Sequence, residues 1–256
     1  MVEFLIGIHS LSTYPTFGLK KDVFPASFCT FATMMHLDEK KEWFSTWFDS
    51  PFYHVLYDQR NDQEATDFLT KLVALLNPEP GSSALDLACG AGRHSRALAS
   101  LGLKVSGCDL SPNSIEEAKK HSDPGLTFFV HDMREKLGEN YHYVFNLFTS
   151  FGYFDNETEN VVALCATAET LKHGGKLVID FMNTDKVIAN LVADEEKEVQ
   201  GITFKIHRGL EHDFIVKTIS FTDNGQEYKF QERVRALREE DFIATQHRRN
   251  GFQFII

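Results

Sequence analysis

The spacing of hydrophobic and polar positions changes several times along the chain. In the central part of the chain, short apolar runs alternate with segments of helical spacing. Short apolar runs predict strands at residues 84–88, 104–110, 126–132, 143–148 and 176–182. The segments between them have helical spacing and predict helices from about Arg93, from Pro112 with Ser111 as N-cap, and over residues 156–172. This alternation predicts an α/β fold with a doubly wound, mostly parallel sheet and helices on both faces.

Different patterns flank this core, which we place at residues 81–183. Residues 36–80 are charge-rich and amphipathic, and they predict N-terminal helices that cover a ligand. Residues 184–238 alternate with a period of two around an Asp-Asn-Gly turn, which predicts an antiparallel β insert, either a lid or a dimer surface. Residues 239–256 predict a final helix and strand of the core.

The first 35 residues follow neither periodicity. Tyr, Phe, Pro, Ser and Cys are mixed there with few charges, and the composition changes near Met34 and Met35 to a charge-rich, amphipathic pattern. We hypothesise that residues 1–35 are an irregular N-terminal extension that is not native and comes from an upstream start codon. A real but irregular arm is the alternative.

Composition and charge narrow the class of ligand. The chain has 26 Lys plus Arg against 37 Asp plus Glu, a formal net charge of −11, so it has no long-range attraction for phosphate backbones or anionic lipid. Its cysteines stand singly, without the spacing of a zinc site, and we expect no metal. No apolar run approaches the roughly 18 residues of a membrane helix, and we expect a cytoplasmic protein.

A glycine loop and three acidic residues carry the candidate chemistry. Gly90 and Gly92 lie between a predicted strand and a predicted helix, where the backbone turns tightly and a ligand can approach it. Asp109 ends the second strand and suits the two hydroxyls of a ribose, while Asp132 ends the third strand and suits the amino group of an adenine. Asp86 suits an ammonium group. Such a ligand has adenine, ribose and an amino acid; helix or turn caps are the alternative for Asp86 and Asp132.

These residues resemble the class I S-adenosylmethionine-dependent methyltransferases, in particular the small-molecule type with a β insert after strand five. The strings DLACGAGRHSRALA and VSGCDLSPNSIEEA carry the resemblance, which spans about residues 43–256. It implies a Rossmann-like fold, S-adenosyl-L-methionine as cofactor, and methyl transfer to a small-molecule acceptor. The cofactor-binding residues that it implies are Tyr57, Arg60, Asp86, Gly90, Gly92, Asp109, Leu110, Asp132 and Met133.

The catalytic residues are less well defined, because a sulfonium donor is already activated and the enzyme mainly positions the acceptor. Our candidates are Tyr153, which follows the fourth strand, and Arg208 and Arg233 of the insert, which together with Arg235 could meet an anionic substrate. Core packing of Tyr153 and solvated strand positions for the arginines are the alternatives. The chain lacks the Asn/Asp-Pro-Pro-Tyr/Phe string, which disfavours nucleic-acid amines as acceptors.

Two features keep other interpretations open. The family fold ends with an antiparallel strand beside strand five, and the sequence stops at FQFII without it, so we expect a truncated chain with an exposed sheet edge. A non-catalytic cofactor-binding or interaction module is therefore the alternative function. An NAD-type oxidoreductase ranks below it, because Ser95 replaces the third glycine of the dinucleotide fingerprint. A homodimer through the insert is one of the two roles that the sequence leaves open for it, and a lid is the other.

Overall fold

The computed structural model describes residues 42–57 and 62–242, together with the backbone of residues 3–7 and 253–255. The helices are α1 (Trp43–Trp47), α2 (Pro51–Leu56), α3 (Asp62–Leu76), α4 (Arg93–Ser100), α5 (Pro112–Lys119), α6 (Glu157–Glu169) and α7 (Thr184–Ala189). The strands are β1 (Glu3–Gly7), β2 (Ser83–Leu87), β3 (Lys104–Asp109), β4 (Leu126–Val130), β5 (Tyr141–Asn146), β6 (Leu171–Asp180), β7 (Asp194–Val199), β8 (Ile202–Glu211), β9 (Phe214–Asp223), β10 (Gln226–Arg235) and β11 (Gln253–Ile255).

The central sheet confirms the predicted fold class. Seven strands pair in the order β11-β1-β6-β5-β2-β3-β4, and every pairing is parallel. Strands β2 to β6 are the five predicted from the sequence, with bounds shifted by a few residues. The largest difference is at residue 171: the helix predicted over residues 156–172 ends at Glu169, and β6 begins at Leu171. Its first residue pairs with Tyr141 of β5, a contact that local periodicity cannot show.

Local capping sets the helix starts as predicted. The Ser111 hydroxyl accepts a hydrogen bond from the Ser114 amide at 3.0 Å, and Pro112 is the first helical residue of α5. Asn156 caps α6 in the same way, by accepting from the Thr158 amide at 2.9 Å. These caps place the helix N-termini at the carboxyl edge of the sheet, where ligands of such folds bind.

Two short strands correct our expectation about the sheet edge. We predicted an irregular segment over residues 1–35 and an exposed edge beside strand five, which is β6. Instead, Glu3–Gly7 pairs with β6 and Gln253–Ile255 pairs with Glu3–Gly7. The apolar run FLIGI is typical of a strand in a parallel sheet, and the unpaired backbone groups of β6 offer it hydrogen-bonding partners. The remainder of residues 1–35 lies outside the described residues.

The insert is a separate antiparallel sheet in the order β10-β9-β8-β7. Asn224 and Gly225 have φ values of 48° and 80° and connect β9 to β10, which confirms the predicted hairpin turn. One face of this sheet packs on Trp47 and Leu56 of α1 and α2, both of which are buried. The first two helices are therefore held between the insert and the central sheet.

Apolar clusters lie on both faces of the central sheet. Leu69 of α3, Leu98 of α4 and Ile115 of α5 belong to one cluster, and Ala163 of α6 belongs to the other together with Phe44 of α1. Within the described residues, no helix has the length and apolar character needed to cross a membrane.

Candidate active site

The loop between β2 and α4 forms a tight turn that leaves its first glycine open. Ala88, Gly90 and Gly92 have φ values of 63°, 54° and 80°, all in the left-handed region. A Cβ on Gly92 would lie 2.7 Å from the ring of Phe128, so packing requires that glycine. A Cβ on Gly90 would have nothing within 4 Å. The space above Gly90 is thus available to a ligand that approaches the backbone closely.

The Asp109 carboxylate lies beside this loop. Its Oδ2 accepts a hydrogen bond from the Gly90 amide at 2.8 Å, and its Oδ1 accepts from the Ser111 amide at 2.9 Å. Burial raises the pKa of Asp109, although the two backbone hydrogen bonds oppose the shift. The carboxylate is therefore oriented by two neighbouring loops at the carboxyl edge of the sheet.

Asp86 is buried within β2, below the same loop. Its Oδ2 accepts a hydrogen bond from the Ser95 hydroxyl of α4 at 2.6 Å. Burial raises the pKa of Asp86 to about 7, and the negative charge of Asp109 adds to that effect while the Ser95 hydrogen bond opposes it. A cationic group brought to this acid would favour its ionised form. Ser95, which replaces the third glycine of the dinucleotide fingerprint, thus donates its hydroxyl hydrogen bond to Asp86.

The turn between α1 and α2 is fastened to the start of α5, next to Asp109. The Asp49 carboxylate accepts from the Ser111 hydroxyl at 2.7 Å and from the Asn113 amide at 3.1 Å. His54 of α2 lies 3.4 Å from the Ser114 hydroxyl. Burial lowers the pKa of His54, whereas nearby carboxylates, including Asp109, oppose the shift. These contacts bring the N-terminal helices over the Asp109 side of the candidate site.

Asp132 lies beyond β4 and is paired with Arg134. The carboxylate oxygens of Asp132 accept from Arg134 Nε at 3.0 Å and from Nη2 at 2.6 Å. Met133 is partly buried against the second apolar cluster, as is Leu110. Burial alone would lower the pKa of Arg134, but its hydrogen bonds to carboxylates outweigh burial and raise it. Sequence reasoning missed Arg134, although its place directly after the Asp-Met pair was visible.

Tyr57 directly follows α2 and contacts the insert. Its hydroxyl donates to Glu232 Oε1 at 2.6 Å and accepts from the Lys217 ammonium. Glu232 also accepts from the Trp47 indole N–H at 2.7 Å. This polar cluster joins α1 and α2 to strands β9 and β10. Arg60, the other residue predicted for the methionine end of the cofactor, lies outside the described residues.

The loop after β5 forms the other wall of the site. Phe148 and Thr149 have φ values of 59° and 57°, an uncommon conformation for a bulky residue, and backbone strain of this kind clusters at functional sites. Asp180 at the end of β6 holds it, because its Oδ2 accepts from the Phe148 amide at 3.0 Å. Phe148 is 39% exposed, and the Arg93 guanidinium lies 5.3 Å from the centroid of its ring. An aromatic surface is therefore presented next to the glycine loop.

Tyr153 lies in an aromatic cluster that joins this loop to α1. Its ring centroid is 5.4 Å from that of Trp43 and 5.3 Å from that of Phe48. Its ring therefore packs between α1 and the post-β5 loop, as the packing alternative anticipated.

The candidate arginines of the insert do not meet. Arg208 is opposite Lys217 and Lys217 is opposite Glu232, so these three share one face of the sheet, whereas Arg233 points to the other. Arg208 pairs with Glu195 on β7 at 2.6 Å, and Arg233 lies 3.7 Å from a carboxylate of the post-β5 loop. The proposal of a joint anion site is therefore wrong, because strand register separates the side chains.

Arg233 and Arg235 instead hold the post-β5 loop. Arg233 Nη2 is 3.7 Å from Asp155, and Arg235 Nη2 donates to the Asp155 carbonyl oxygen at 2.7 Å. Both guanidinium groups lie over the ring of Phe214, at 4.8 and 4.7 Å from its centroid. These contacts fasten the insert to the loop that carries Tyr153.

Comparison with known proteins agrees with this geometry. Residues 84–175, which contain the glycine loop and its acidic neighbours, match the family described as a methyltransferase domain. Residues 84–175 therefore have the sequence features of a methyltransferase domain. A solved structure of an S-adenosylmethionine-dependent methyltransferase from Clostridium acetobutylicum aligns with a TM-score of 0.63 at 20% identity, covering 77% of this chain and 83% of that one, and it shows the shared fold.

Two curated relatives match more than half of this chain in sequence. The chain is 35% identical over 153 residues to dTDP-3-amino-3,4,6-trideoxy-alpha-D-glucopyranose N,N-dimethyltransferase of Streptomyces venezuelae, with 57% of this chain and 63% of the relative covered. It is 30% identical over 156 residues to the mitochondrial ubiquinone biosynthesis O-methyltransferase of Schizosaccharomyces pombe, covering 57% and 54%. The chain thus spans less than two thirds of the length of either relative.

Proposed function

We propose that this protein transfers a methyl group from S-adenosyl-L-methionine to a small-molecule acceptor by in-line displacement. The observation that carries the proposal is the hydrogen bond from Gly90 to Asp109 beneath an open space, since it fixes a carboxylate beside a backbone that a ligand can approach. Two acids with raised pKa values at one sheet edge, Asp86 buried and Asp109 partly buried, are typical of a functional site.

Each candidate residue has a distinct role in this proposal. Asp109 accepts from the ribose hydroxyls, and Asp86 meets the ammonium group of the methionine part. Asp132 and Met133 flank the adenine, with Leu110 beside them. Tyr57 and Arg60 bind the methionine end. The backbone of Gly90 and Gly92 forms the floor against which the cofactor lies.

The cofactor supplies an activated methyl group on a positively charged sulfur. The chain then has to align an acceptor atom opposite the departing sulfur and exclude water. The aromatic rings after β5 suit this task, because their faces attract a cation and shield it from solvent. Phe148 and Tyr153 lie on that loop, which Asp180 and Arg235 hold from two sides.

The acceptor class is a proposal drawn from the relatives. One acts on an amino sugar linked to a nucleotide, as its name says, and the other is an O-methyltransferase of ubiquinone biosynthesis. Both names indicate small molecules with an amine or a hydroxyl as acceptor. Asn146 ends β5 and is followed by Leu-Phe rather than a Pro-Pro pair, which further disfavours a nucleic-acid base as acceptor.

The first experiment is calorimetric titration with S-adenosylhomocysteine, followed by transfer of labelled methyl groups to amino-sugar and phenolic acceptors. We expect binding, and transfer to at least one acceptor. Binding without any transfer would favour the alternative, a non-catalytic cofactor-binding or interaction module. Binding of NAD with none of S-adenosylhomocysteine would favour an oxidoreductase and overturn the proposal.

We also propose that the protein is cytoplasmic and dimerises through its insert. The three cysteines among the described residues, Cys89, Cys108 and Cys165, are free thiols, as expected in a reducing compartment. The edge strand β7 carries Asp194, Glu195, Glu196 and Glu198, so like charges oppose pairing of two β7 edges. A dimer would then use a face of the insert or its other edge, β10, and light scattering decides between monomer and dimer.

A further inference from the structure

The guanidinium of Arg134 is saturated by carboxylates. It is 7% exposed, and its five N–H groups all have acceptors. Nε and Nη2 donate to Asp132 at 3.0 and 2.6 Å, Nη1 and Nη2 donate to the two oxygens of Glu42 at 2.8 Å each, and Nη1 donates to Glu159 at 2.9 Å. Such forked, charge-assisted contacts are both strong and geometrically specific.

These partners come from separate parts of the chain. Asp132 follows β4, Glu42 directly precedes α1, and Glu159 is in the first turn of α6. The guanidinium also lies 4.8 Å from the ring centroid of Phe154, in the loop after β5. One side chain therefore joins four segments at the side of the site that we assign to adenine.

The Asp132 carboxylate is oriented from two directions. Besides the guanidinium, the backbone amide of Arg134 donates to Asp132 Oδ1 at 2.8 Å. A carboxylate held by a fork and by a backbone amide has little freedom to rotate. A lysine at position 134 could supply the charge but not the fork, since its ammonium is a point charge.

We infer that Arg134 is a positioning residue of the cofactor site. It holds the Asp132 carboxylate in the orientation that accepts from the adenine amino group, and it fixes the start of α1 beside it. This inference rests on the proposed function. It adds a residue that touches no cofactor and that nonetheless sets selectivity for the purine.

The test compares two ligands that differ at the purine. S-inosylhomocysteine carries a carbonyl oxygen where S-adenosylhomocysteine carries the amino group, so this position accepts a hydrogen bond and no longer donates one to Asp132. We expect the native protein to prefer the adenine ligand. In Arg134→Lys that preference should fall by about tenfold, which corresponds to one charged hydrogen bond. Arg238→Lys is the matched control, since Arg238 pairs with Asp185 at 2.8 Å and is half exposed.

The outcomes separate a positioning role from a purely structural one. A lower unfolding temperature with an unchanged preference for adenine, or equal losses for both ligands, would overturn the inference. Failure of the native protein to bind either ligand would instead overturn the proposed function.

A second variant serves if Arg134→Lys does not fold. Glu42→Gln keeps the pair between Arg134 and Asp132 but weakens the forked contact between the Arg134 guanidinium and residue 42, just before α1. We expect weaker binding of both ligands with the adenine preference retained. Unchanged affinity in this variant would contradict the role of Arg134 at α1.

Discussion

The amide of Gly90 donates to the carboxylate of Asp109 across 2.8 Å and so joins the loop after β2 to the end of β3. The two residues are 19 positions apart, and adjacent parallel strands bring them together. The same carboxylate accepts from the amide of Ser111. Asp109 thereby couples the shape of the glycine loop to the start of α5.

Asp109→Asn should weaken binding of S-adenosylhomocysteine by about 10- to 100-fold, because a ribose loses an ionised acceptor worth about 1.5–3 kcal/mol. The amide also cannot accept at both atoms, so one of the two backbone amides loses its partner. Calorimetric titration measures the loss. Asp185→Asn, at an exposed position of α7, is the control and should bind as the native protein does.

Cofactor binding should depend on pH through Asp86, whose pKa burial raises to about 7. An ammonium group pairs with the ionised acid, so the affinity for S-adenosylhomocysteine should fall as the pH is lowered from about 8 to about 6. Asp86→Asn should bind weakly and lose this dependence on pH. An unchanged pH profile in that variant would show that another group titrates.

The same acid predicts the pH dependence of stability. Asp86 holds its proton more tightly in the folded protein than in the unfolded chain, where its carboxyl group has the ordinary pKa of 3.8. Its contribution to the free energy of unfolding is therefore greatest below about pH 4, and it is lost as the pH rises through about 7. Urea denaturation at several pH values should show a flatter profile for Asp86→Asn. A profile that matches the native one would contradict the raised pKa.

The two glycines of the loop should respond differently to alanine. Gly90→Ala places its Cβ in open space and should cost only the left-handed strain of about 1–2 kcal/mol, yet abolish close approach of the cofactor. Gly92→Ala adds a contact of 2.7 Å with Phe128 and should destabilise the fold by about 1–3 kcal/mol more. Thermal unfolding and ligand titration separate the effects. Native-like binding by Gly90→Ala would place the cofactor elsewhere.

Removing one partner from the polar cluster of Trp47, Tyr57, Lys217 and Glu232 should lower the free energy of unfolding. Glu232→Leu removes the acceptor of Trp47 and Tyr57 and the partner of Lys217, which lies 3.3 Å away, and should cost about 3–5 kcal/mol. The double variant with Lys217→Met should lose less than the sum of the single variants. Additive losses in urea denaturation would mean that the pair does not couple.

The sequence was sufficient for the core because its signals are local. The alternation of strands and helices, the caps at Ser111 and Asn156, and the Asn224-Gly225 turn each depend on neighbouring residues. Parallel strands with their helices bring strand ends to one edge. The meeting of Asp86, Asp109 and the glycine loop could therefore be expected from the order of these elements along the chain.

Other features depend on pairings between distant segments. Arg208 and Arg233 could be assigned to strands but not to faces, because strand register decides which side chains share a face. The strand Glu3–Gly7 could not be predicted beside β6, since its partner is more than 160 positions away along the chain.

The sequence by itself determined the fold class, the glycine loop and the acidic strand ends. Tertiary structure alone decided that Arg134 gathers Glu42, from 92 positions away, and Glu159, from 25 positions away, around Asp132. The reason is physical: periodicity and capping act over a few residues. Pairing of buried charges depends on which segments the completed core brings within hydrogen-bond distance.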